Sequence, residues 1–186
     1  MSEKYKFQDP EGIYFITNTI VHWIDLFTRK ELRHLVLDSL KHCQKEKGLI
    51  IHAWVIMPSH LHMIISSEKD PLQGIIRDFK KHISREIIKE IKRINESRKT
   101  GLADQWLLRG FKKSGEKLKR IQEYKVWKDG SRPIHLDSAK LMEEKVDYIH
   151  YNPVEDEIVD EPEDYLYSSA RDYAGRKGLL DVVIIE

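Results

Sequence analysis

The sequence predicts an α+β fold, a ferredoxin-like (split βαβ) antiparallel sheet with helices on one face. Three observations lead to this class. Apolar runs typical of strands and periodic runs typical of helices follow the order strand, helix, strand, strand, helix, strand. Only two residues, Pro58 and Ser59, separate the second and third strands, which favours an antiparallel hairpin. The chain has 186 residues and no internal repeat, so we expect one domain over residues 1–186.

The first half of the chain supplies three strands and one helix. Residues 12–23, GIYFITNTIVHW, are rich in β-branched and aromatic residues and predict the first strand. Thr28 and Glu31 form a capping box that starts a helix, and Gly48 ends it. The second and third strands are predicted at residues 49–57 and 60–66.

The second helix starts at a cap and a proline, Asp70 and Pro71, and buries a stripe of isoleucines with Phe79. Lysines and arginines occupy the rest of its surface. Residues at about 95–123 are polar and basic, and we expect a basic helical and loop region there: a helix extension followed by a mobile connection. Residues 124–127, YKVW, predict a short strand that precedes an Asp-Gly turn.

A third helix is predicted from a cap at Asp137 or Ser138 to about Asn152, where Pro153 ends it. A short helical piece near residues 163–173 and a terminal apolar run complete the chain.

The composition favours a cytoplasmic protein. Cys43 is the only cysteine, so no disulfide forms within the chain, as is usual in a reducing compartment. No apolar run approaches the roughly 18 residues needed to cross a bilayer. We therefore expect no membrane association.

The charge is unevenly distributed although the formal net charge is only +1. Residues 77–120 hold 15 Lys and Arg against 6 Asp and Glu, whereas residues 138–186 hold 5 against 13. Such polarity suits a surface that binds a polyanion. A solvated helix face is the alternative.

Two histidines stand two residues apart in MPSHLHMII, residues 57–65. Alternate side chains on a strand share a face, so His60 and His62 project together and Leu61 points the other way. Two neutral imidazoles supply half of a divalent metal site. The alternative is that both imidazoles only form hydrogen bonds with neighbours on an open face.

The third helix carries a second group of polar side chains in VDYIHYNPV, residues 146–154. Tyr148 and Asn152 are four residues apart and share a helix face, with Lys145 on the same flank. Asn152 offers a carbonyl oxygen that suits Mg²⁺ or Mn²⁺. The alternative is a tyrosine packed on the sheet and an asparagine that caps the helix. His150 and Tyr151 point to other sides of it.

MPSHLHMII followed about 85 residues later by YIHYNPV resembles the HUH single-tyrosine transposases. Within them the chain looks most like the REP-associated tyrosine transposases, relatives of the insertion-sequence-200 type. The resemblance continues in GIYFITNTI, FKKHIS, VWKDGSRPI and the tail from YNPVEDEIVDEPEDY onward. It implies an HUH nuclease type of fold.

The resemblance also implies roles for the two groups of side chains. His60, His62 and Asn152 match the metal ligands, with Mg²⁺ or Mn²⁺ as cofactor, and Tyr148 matches the nucleophile. The implied activity is transposition: cleavage and joining of single-stranded or hairpin DNA through a 5′-phosphotyrosine intermediate. Lys145 is a possible auxiliary residue.

The basic region is the expected DNA surface, and its aromatic residues are possible stacking platforms for unpaired bases. The expected phosphate contacts are Arg77, Lys80, Lys81, Arg85, Lys112 and Lys113, and the aromatic candidates are Trp106, Phe111 and Trp127. A monomer is favoured, with a homodimer possible.

Three other functions stay open. The chain could be another HUH nuclease of the replication or relaxase type. It could be a non-catalytic nucleic-acid-binding domain derived from a transposase. It could also be a metal-dependent hydrolase that uses both histidines without the tyrosine.

Overall fold

A computed structural model describes residues 7–97, 105–116 and 123–185 of the chain. Four strands within these ranges form one antiparallel sheet. The strands are β1 Tyr14–Thr19, β2 Leu49–Ile56, β3 His60–Ser67 and β4 Ile134–His135. Their spatial order, β2-β3-β1-β4, is that of a split βαβ sheet and confirms the predicted fold class.

The helices of the described ranges are α1 Lys30–Lys47, α2 Leu72–Ser97, α3 Gln105–Glu116, α4 Ala139–Glu155 and α5 Ala170–Tyr173. Short 3₁₀ turns lie at Val21–Trp23, Leu26–Thr28 and Pro162–Asp164. None of these helices combines the length and the apolar character that a membrane crossing requires.

The β2–β3 hairpin forms as predicted, and its register decides which side chains share a face. β1 lies beside β3 with Thr17 opposite His62 and Phe15 opposite Ile64. Opposite residues of an antiparallel pair share a face, so Phe15 and Thr17 lie on the side of the sheet that carries both histidines.

Helices α1 and α2 pack against each other, and Lys47 of α1 pairs with Asp78 of α2 at 2.8 Å. Their apolar stripes are buried as predicted, and Gly48 ends α1 with a φ of 68°. This pair forms the predicted helical layer. It covers the face to which Leu61 and Met63 point, because both side chains are fully buried and alternate with the histidines.

Helix α4 packs on β2 and β3 over the histidine face, so helices cover both faces of the sheet and not one face as the sequence predicted. Ser138 is its N-cap, as predicted, because the Ser138 hydroxyl accepts a hydrogen bond from the Leu141 amide. Pro153 does not end the helix, which continues to Glu155. Since Pro153 lies in the last turn, its missing N–H removes one bond near the end of the helix rather than in its middle.

Three further sequence predictions were wrong in detail. The first strand ends at Thr19, because the chain turns into a 3₁₀ segment that starts at Val21. The predicted capping box does not form: the N-cap of α1 is Arg29, and the Thr28 hydroxyl donates to the Asp25 carbonyl instead. The YKVW segment makes one isolated bridge between Trp127 and Ile20, not a strand.

The region predicted as a mobile connection contains a helix. α3 occupies Gln105–Glu116 and buries Leu107 and Phe111, while α2 extends to Ser97 as predicted. The remaining residues of that prediction, 98–104 and 117–122, lie outside the described part of the chain.

Candidate active site

The two histidines of β3 lie side by side on one face of the sheet. Their ring centres are 4.6 Å apart, and the two rings meet edge to face. His62 is almost fully buried, whereas His60 is partly exposed. The alternation of side chains on a strand therefore predicted this arrangement correctly.

Each imidazole is held at one nitrogen by a hydroxyl group from the sheet or its turn. The Thr17 hydroxyl lies 2.8 Å from Nδ1 of His62, and the Ser59 hydroxyl lies 3.1 Å from Nδ1 of His60. Both contacts leave Nε2 as the nitrogen available for another partner. The hydroxyls thus fix the orientation of the two rings.

Both imidazoles are uncharged at neutral pH. Burial, with smaller electrostatic contributions from His60 and Lys145, lowers the pKa of His62 to about 3. Burial also lowers the pKa of His60, although the charge of Asp156 and a hydrogen bond with Asn152 act in the opposite direction. A neutral imidazole keeps the lone pair that a metal ligand needs.

Helix α4 brings Tyr148 to the same place. The Tyr148 hydroxyl lies 3.5 Å from Nε2 of His62, and the two ring centres are 5.1 Å apart. The side chain is 40% exposed, so the phenol reaches solvent as well as the imidazole. The predicted meeting of the tyrosine helix with the histidine pair is present within one chain.

Asn152 and Lys145 flank this tyrosine on the same helix. Asn152 is buried one turn after Tyr148, its amide Nδ2 donates to the Tyr148 carbonyl at 3.5 Å, and its side chain lies near enough to His60 to act on the His60 pKa. The Lys145 ammonium lies 5.5 Å from the centre of the Tyr148 ring and 5.2 Å from that of Phe15. All four residues predicted for the metal and the nucleophile therefore come together, with Lys145 beside them.

The neighbouring helix residues occupy other environments. His150 is buried, and its Nε2 lies 2.9 Å from the Ser169 hydroxyl. Tyr151 is 51% exposed on the outer side of the helix. Neither residue faces the histidine pair, as the helix period predicted.

A cavity of about 440 Å³ opens in front of these groups. Its lining combines the histidines, Tyr148 and Asn152 with cations and carboxylates from other segments. These other residues are Thr17, Thr19, Trp23, Lys128, Asp129, Gly130, Arg132, Glu155 and Asp156.

The donor set can hold a divalent ion that keeps open coordination positions. In the described ranges no cluster of three or more His, Cys, Asp and Glu side chains is placed to hold a metal. The set here is different: two neutral imidazoles, from His60 and His62, with an amide oxygen from Asn152. Mg²⁺ and Mn²⁺ commonly complete so small a set with water and phosphate oxygens.

The residues predicted to contact DNA fall into two groups. Exposed side chains are those of Arg77, Lys81, Arg85, Lys112 and Lys113. Lys80 differs, because its ammonium donates to the carbonyl oxygens of Lys128 and Gly130 at 3.2 and 2.8 Å. We therefore assign Lys80 to the support of the loop that contains Lys128 and Gly130, and not to DNA binding, which corrects the sequence prediction.

The three aromatic residues predicted to stack on bases also differ in their exposure to solvent. Phe111 and Trp127 are buried in the core, so they offer no surface to a base, and that prediction was wrong for both. Trp106 is 56% exposed on α3 but is not part of the cavity lining.

Sequence reasoning missed several residues that shape this site. Thr17 and Phe15 come from β1, while Trp23 and Lys128 stand at the cavity wall. Alternation along β1 places Phe15 and Thr17 on one face, but only the pairing with β3 identifies that face. Periodicity gave no role to Trp23 or Lys128, because the segments that carry them are irregular, although Lys128 lies within VWKDGSRPI.

Comparison with known proteins identifies the family of the chain and agrees with its fold. The family described as transposase IS200 like matches residues 20–130, which is more than half of the chain. A solved structure of a REP-associated tyrosine transposase bound to a REP hairpin is similar in fold, with a TM-score of 0.60 and 21% identity. That match covers 100% of this chain and 96% of that chain. No curated protein matches the sequence.

Proposed function

We propose that this chain, which belongs to the IS200-like transposase family, cleaves and rejoins single-stranded DNA through a covalent bond to Tyr148. Membership of that family makes the chain a transposase, an enzyme that acts on DNA. The observation that carries the finer proposal is the 3.5 Å approach of the Tyr148 hydroxyl to Nε2 of His62. The family match ends at residue 130, so the tyrosine itself rests on this geometry and on the YIHYNPV motif.

In the proposed reaction the Tyr148 oxygen attacks the phosphorus of a phosphodiester. A bond forms between this oxygen and the 5′-phosphate, and the bond to the 3′ oxygen breaks, which frees a 3′-hydroxyl. A later attack by a 3′-hydroxyl on the phosphotyrosine releases Tyr148 and rejoins the strand. Because each step exchanges one phosphoester for another, joining needs no nucleotide cofactor.

His62 is suited to bind a metal ion and not to remove the proton of the phenol. A base with a pKa of about 3 takes up a proton poorly at neutral pH, and the phenol itself has a pKa near 10. The exposed position of the Tyr148 ring gives its proton a path to water. His62 therefore contacts the Tyr148 hydroxyl without acting as its base, and Lys145 adds positive charge beside the Tyr148 ring.

We propose Mg²⁺ or Mn²⁺ as the cofactor, held by His60, His62 and Asn152. When bound, such an ion acts as a Lewis acid on a phosphate oxygen and orients the scissile group. The two neutral imidazoles and the nearby amide support this assignment. We expect His60→Ala to lose divalent-ion-dependent cleavage while it retains DNA binding, since the exposed basic side chains lie on α2 and α3. Equal loss of both would assign His60 a structural role.

The proposed substrate is a hairpin with single-stranded flanks. The solved relative of the same fold was bound to a REP hairpin. Exposed lysines and arginines on α2 and α3 give this chain groups for the DNA backbone. The cytoplasm is the expected compartment.

The decisive experiment compares two tyrosines of one helix. Wild type, Tyr148→Phe and Tyr151→Phe are incubated with labelled hairpin oligonucleotides taken from the DNA that flanks the gene, with Mn²⁺. A denaturing gel then shows protein-linked DNA. We expect the adduct with wild type and Tyr151→Phe and none with Tyr148→Phe. Binding without any adduct in wild type would favour a non-catalytic domain, and cleavage that survives Tyr148→Phe would favour a hydrolase.

We propose that the active unit is a monomer. Tyr148 and His62 of one chain already meet, so no second copy is needed to complete the site. A mixture of Tyr148→Phe and His62→Ala proteins should then stay inactive. Recovered cleavage in the mixture would show that the tyrosine helix serves a partner chain.

A further inference from the structure

Trp23 is a large aromatic side chain that stands exposed at the edge of the active-site cavity. It is 57% exposed, and its ring meets the ring of His60 edge to face with 5.7 Å between the centres. Trp23 also belongs to the lining of the cavity that contains Tyr148. Its ring is thus a direct neighbour of His60 and shares the cavity with Tyr148.

The backbone that carries the Trp23 ring has an energetically unfavourable conformation. His22 and Trp23 have φ values of 60° and 55°, in the left-handed region that non-glycine residues rarely adopt. The Val21 amide donates to the Val126 carbonyl at 2.9 Å, and His22 Nε2 lies 2.8 Å from the Ser114 hydroxyl. These contacts keep two consecutive strained residues in place. Strain of this kind is concentrated at functional sites.

A cation is fixed beside the same ring. The Lys128 ammonium lies 4.0 Å from the centre of the Trp23 ring, and the Lys128 amide donates to the Thr19 carbonyl at 2.7 Å. Arg132 lines the same cavity. An exposed flat ring with adjoining cations matches a nucleotide, which offers an aromatic base and an anionic phosphate.

We propose that Trp23 is the stacking platform for the unpaired base next to the scissile phosphodiester, and that Lys128 binds the adjoining phosphate. This inference rests on the proposed function, because it takes single-stranded DNA as the occupant of the cavity. The closeness of Trp23 to His60 confines the contact to a nucleotide that flanks the cleaved bond.

The test places one abasic site at a time along a hairpin oligonucleotide whose cleavage position has been mapped by the adduct assay. Wild type should lose affinity and adduct formation about 5- to 150-fold when the abasic site replaces the stacked base, the range expected for lost base–aromatic stacking. Trp23→Ala should bind the intact oligonucleotide more weakly by a similar factor and should no longer respond to that abasic site.

Trp23→Phe should recover most of the response, because phenylalanine keeps a flat ring at the strained position. Trp106→Ala removes the other strongly exposed tryptophan and should keep the position-specific response of the wild type. Unfolding midpoints of all variants separate loss of stacking from loss of the fold.

Two failures can be distinguished. If wild type forms the adduct and Trp23→Ala responds to every abasic site as wild type does, the stacking role is wrong and the transposase chemistry stands. If wild type forms no adduct with any hairpin, the proposed function fails first.

Discussion

Replacement of Lys80 by methionine tests how the loop beside the active site is supported. The Lys80 ammonium donates to two carbonyl oxygens of that loop, at Lys128 and Gly130. Burial lowers the pKa of Lys80 to about 8; the charge of Asp129 opposes this shift and that of Lys125 adds to it. Methionine keeps the aliphatic stem but neither donates nor titrates.

The sign of the pH effect follows from the two states of the chain. Below pH 8 both the folded and the unfolded chain carry the charge on Lys80, so the cost of burying it is fully present. Between pH 8 and 10.5 the folded chain releases the proton while the unfolded chain keeps it. The stability of wild type relative to Lys80→Met should therefore rise by about 2 kcal/mol from pH 7 to pH 9.5.

Urea unfolding at the two pH values measures this difference. Lys81→Met is the matched control, because Lys81 is the exposed neighbour on the same helix and its removal should shift stability equally at both pH values. Stabilities of wild type and Lys80→Met that change in parallel would show that the ammonium is well solvated. The assignment of Lys80 to the loop would then be refuted.

Two further predictions concern stability. Gly48→Ala should lower the free energy of unfolding by about 2 kcal/mol in urea, because a Cβ at this position meets Lys69 Cβ at 2.7 Å and the φ of 68° disfavours alanine. Gly110→Ala, which has open space around it in α3, should raise the free energy of unfolding, and equal effects of the two substitutions would contradict this reasoning. Burial lowers the pKa of His52, so the contribution of the neutral His52 to stability is present above pH 6.5 and is lost as the pH falls below 6.5. His52→Gln should therefore reduce the loss of stability on acidification. An unchanged dependence of stability on pH would indicate that His52 is solvated.

The sequence predicted the parts of the site that depend on local periodicity. His60 and His62 share a strand face because they are two residues apart, and Tyr148 and Asn152 share a helix face because they are four apart. Both periods are properties of the backbone itself, so they hold whatever the rest of the fold does. The order of strands and helices likewise predicted the sheet, except that its fourth strand is Ile134–His135 and not the YKVW segment.

Tertiary context decided the features that the sequence did not predict. Pro153 stays helical because it lies in the last turn. Trp127 is buried against Phe27 and Phe79, with ring centres 5.9 and 6.3 Å away, so packing governs a side chain that looked available to DNA. Lys80 also looked like a surface cation, yet a loop 48 to 50 residues later supplies its partners.

β1 controls the geometry of the site together with the motif strand β3. Thr17 orients His62 through its Nδ1, and Phe15 stacks on His62 with 5.4 Å between ring centres. The same Phe15 ring meets Tyr148 edge to face at 5.9 Å and lies 5.2 Å from the Lys145 ammonium. Phe15 therefore contacts both His62 and Tyr148 and supports their direct approach, while Thr17 sets which nitrogen of His62 faces the phenol. Because both residues lie on one face of β1, the register between β1 and β3 fixes the ligand and the nucleophile together.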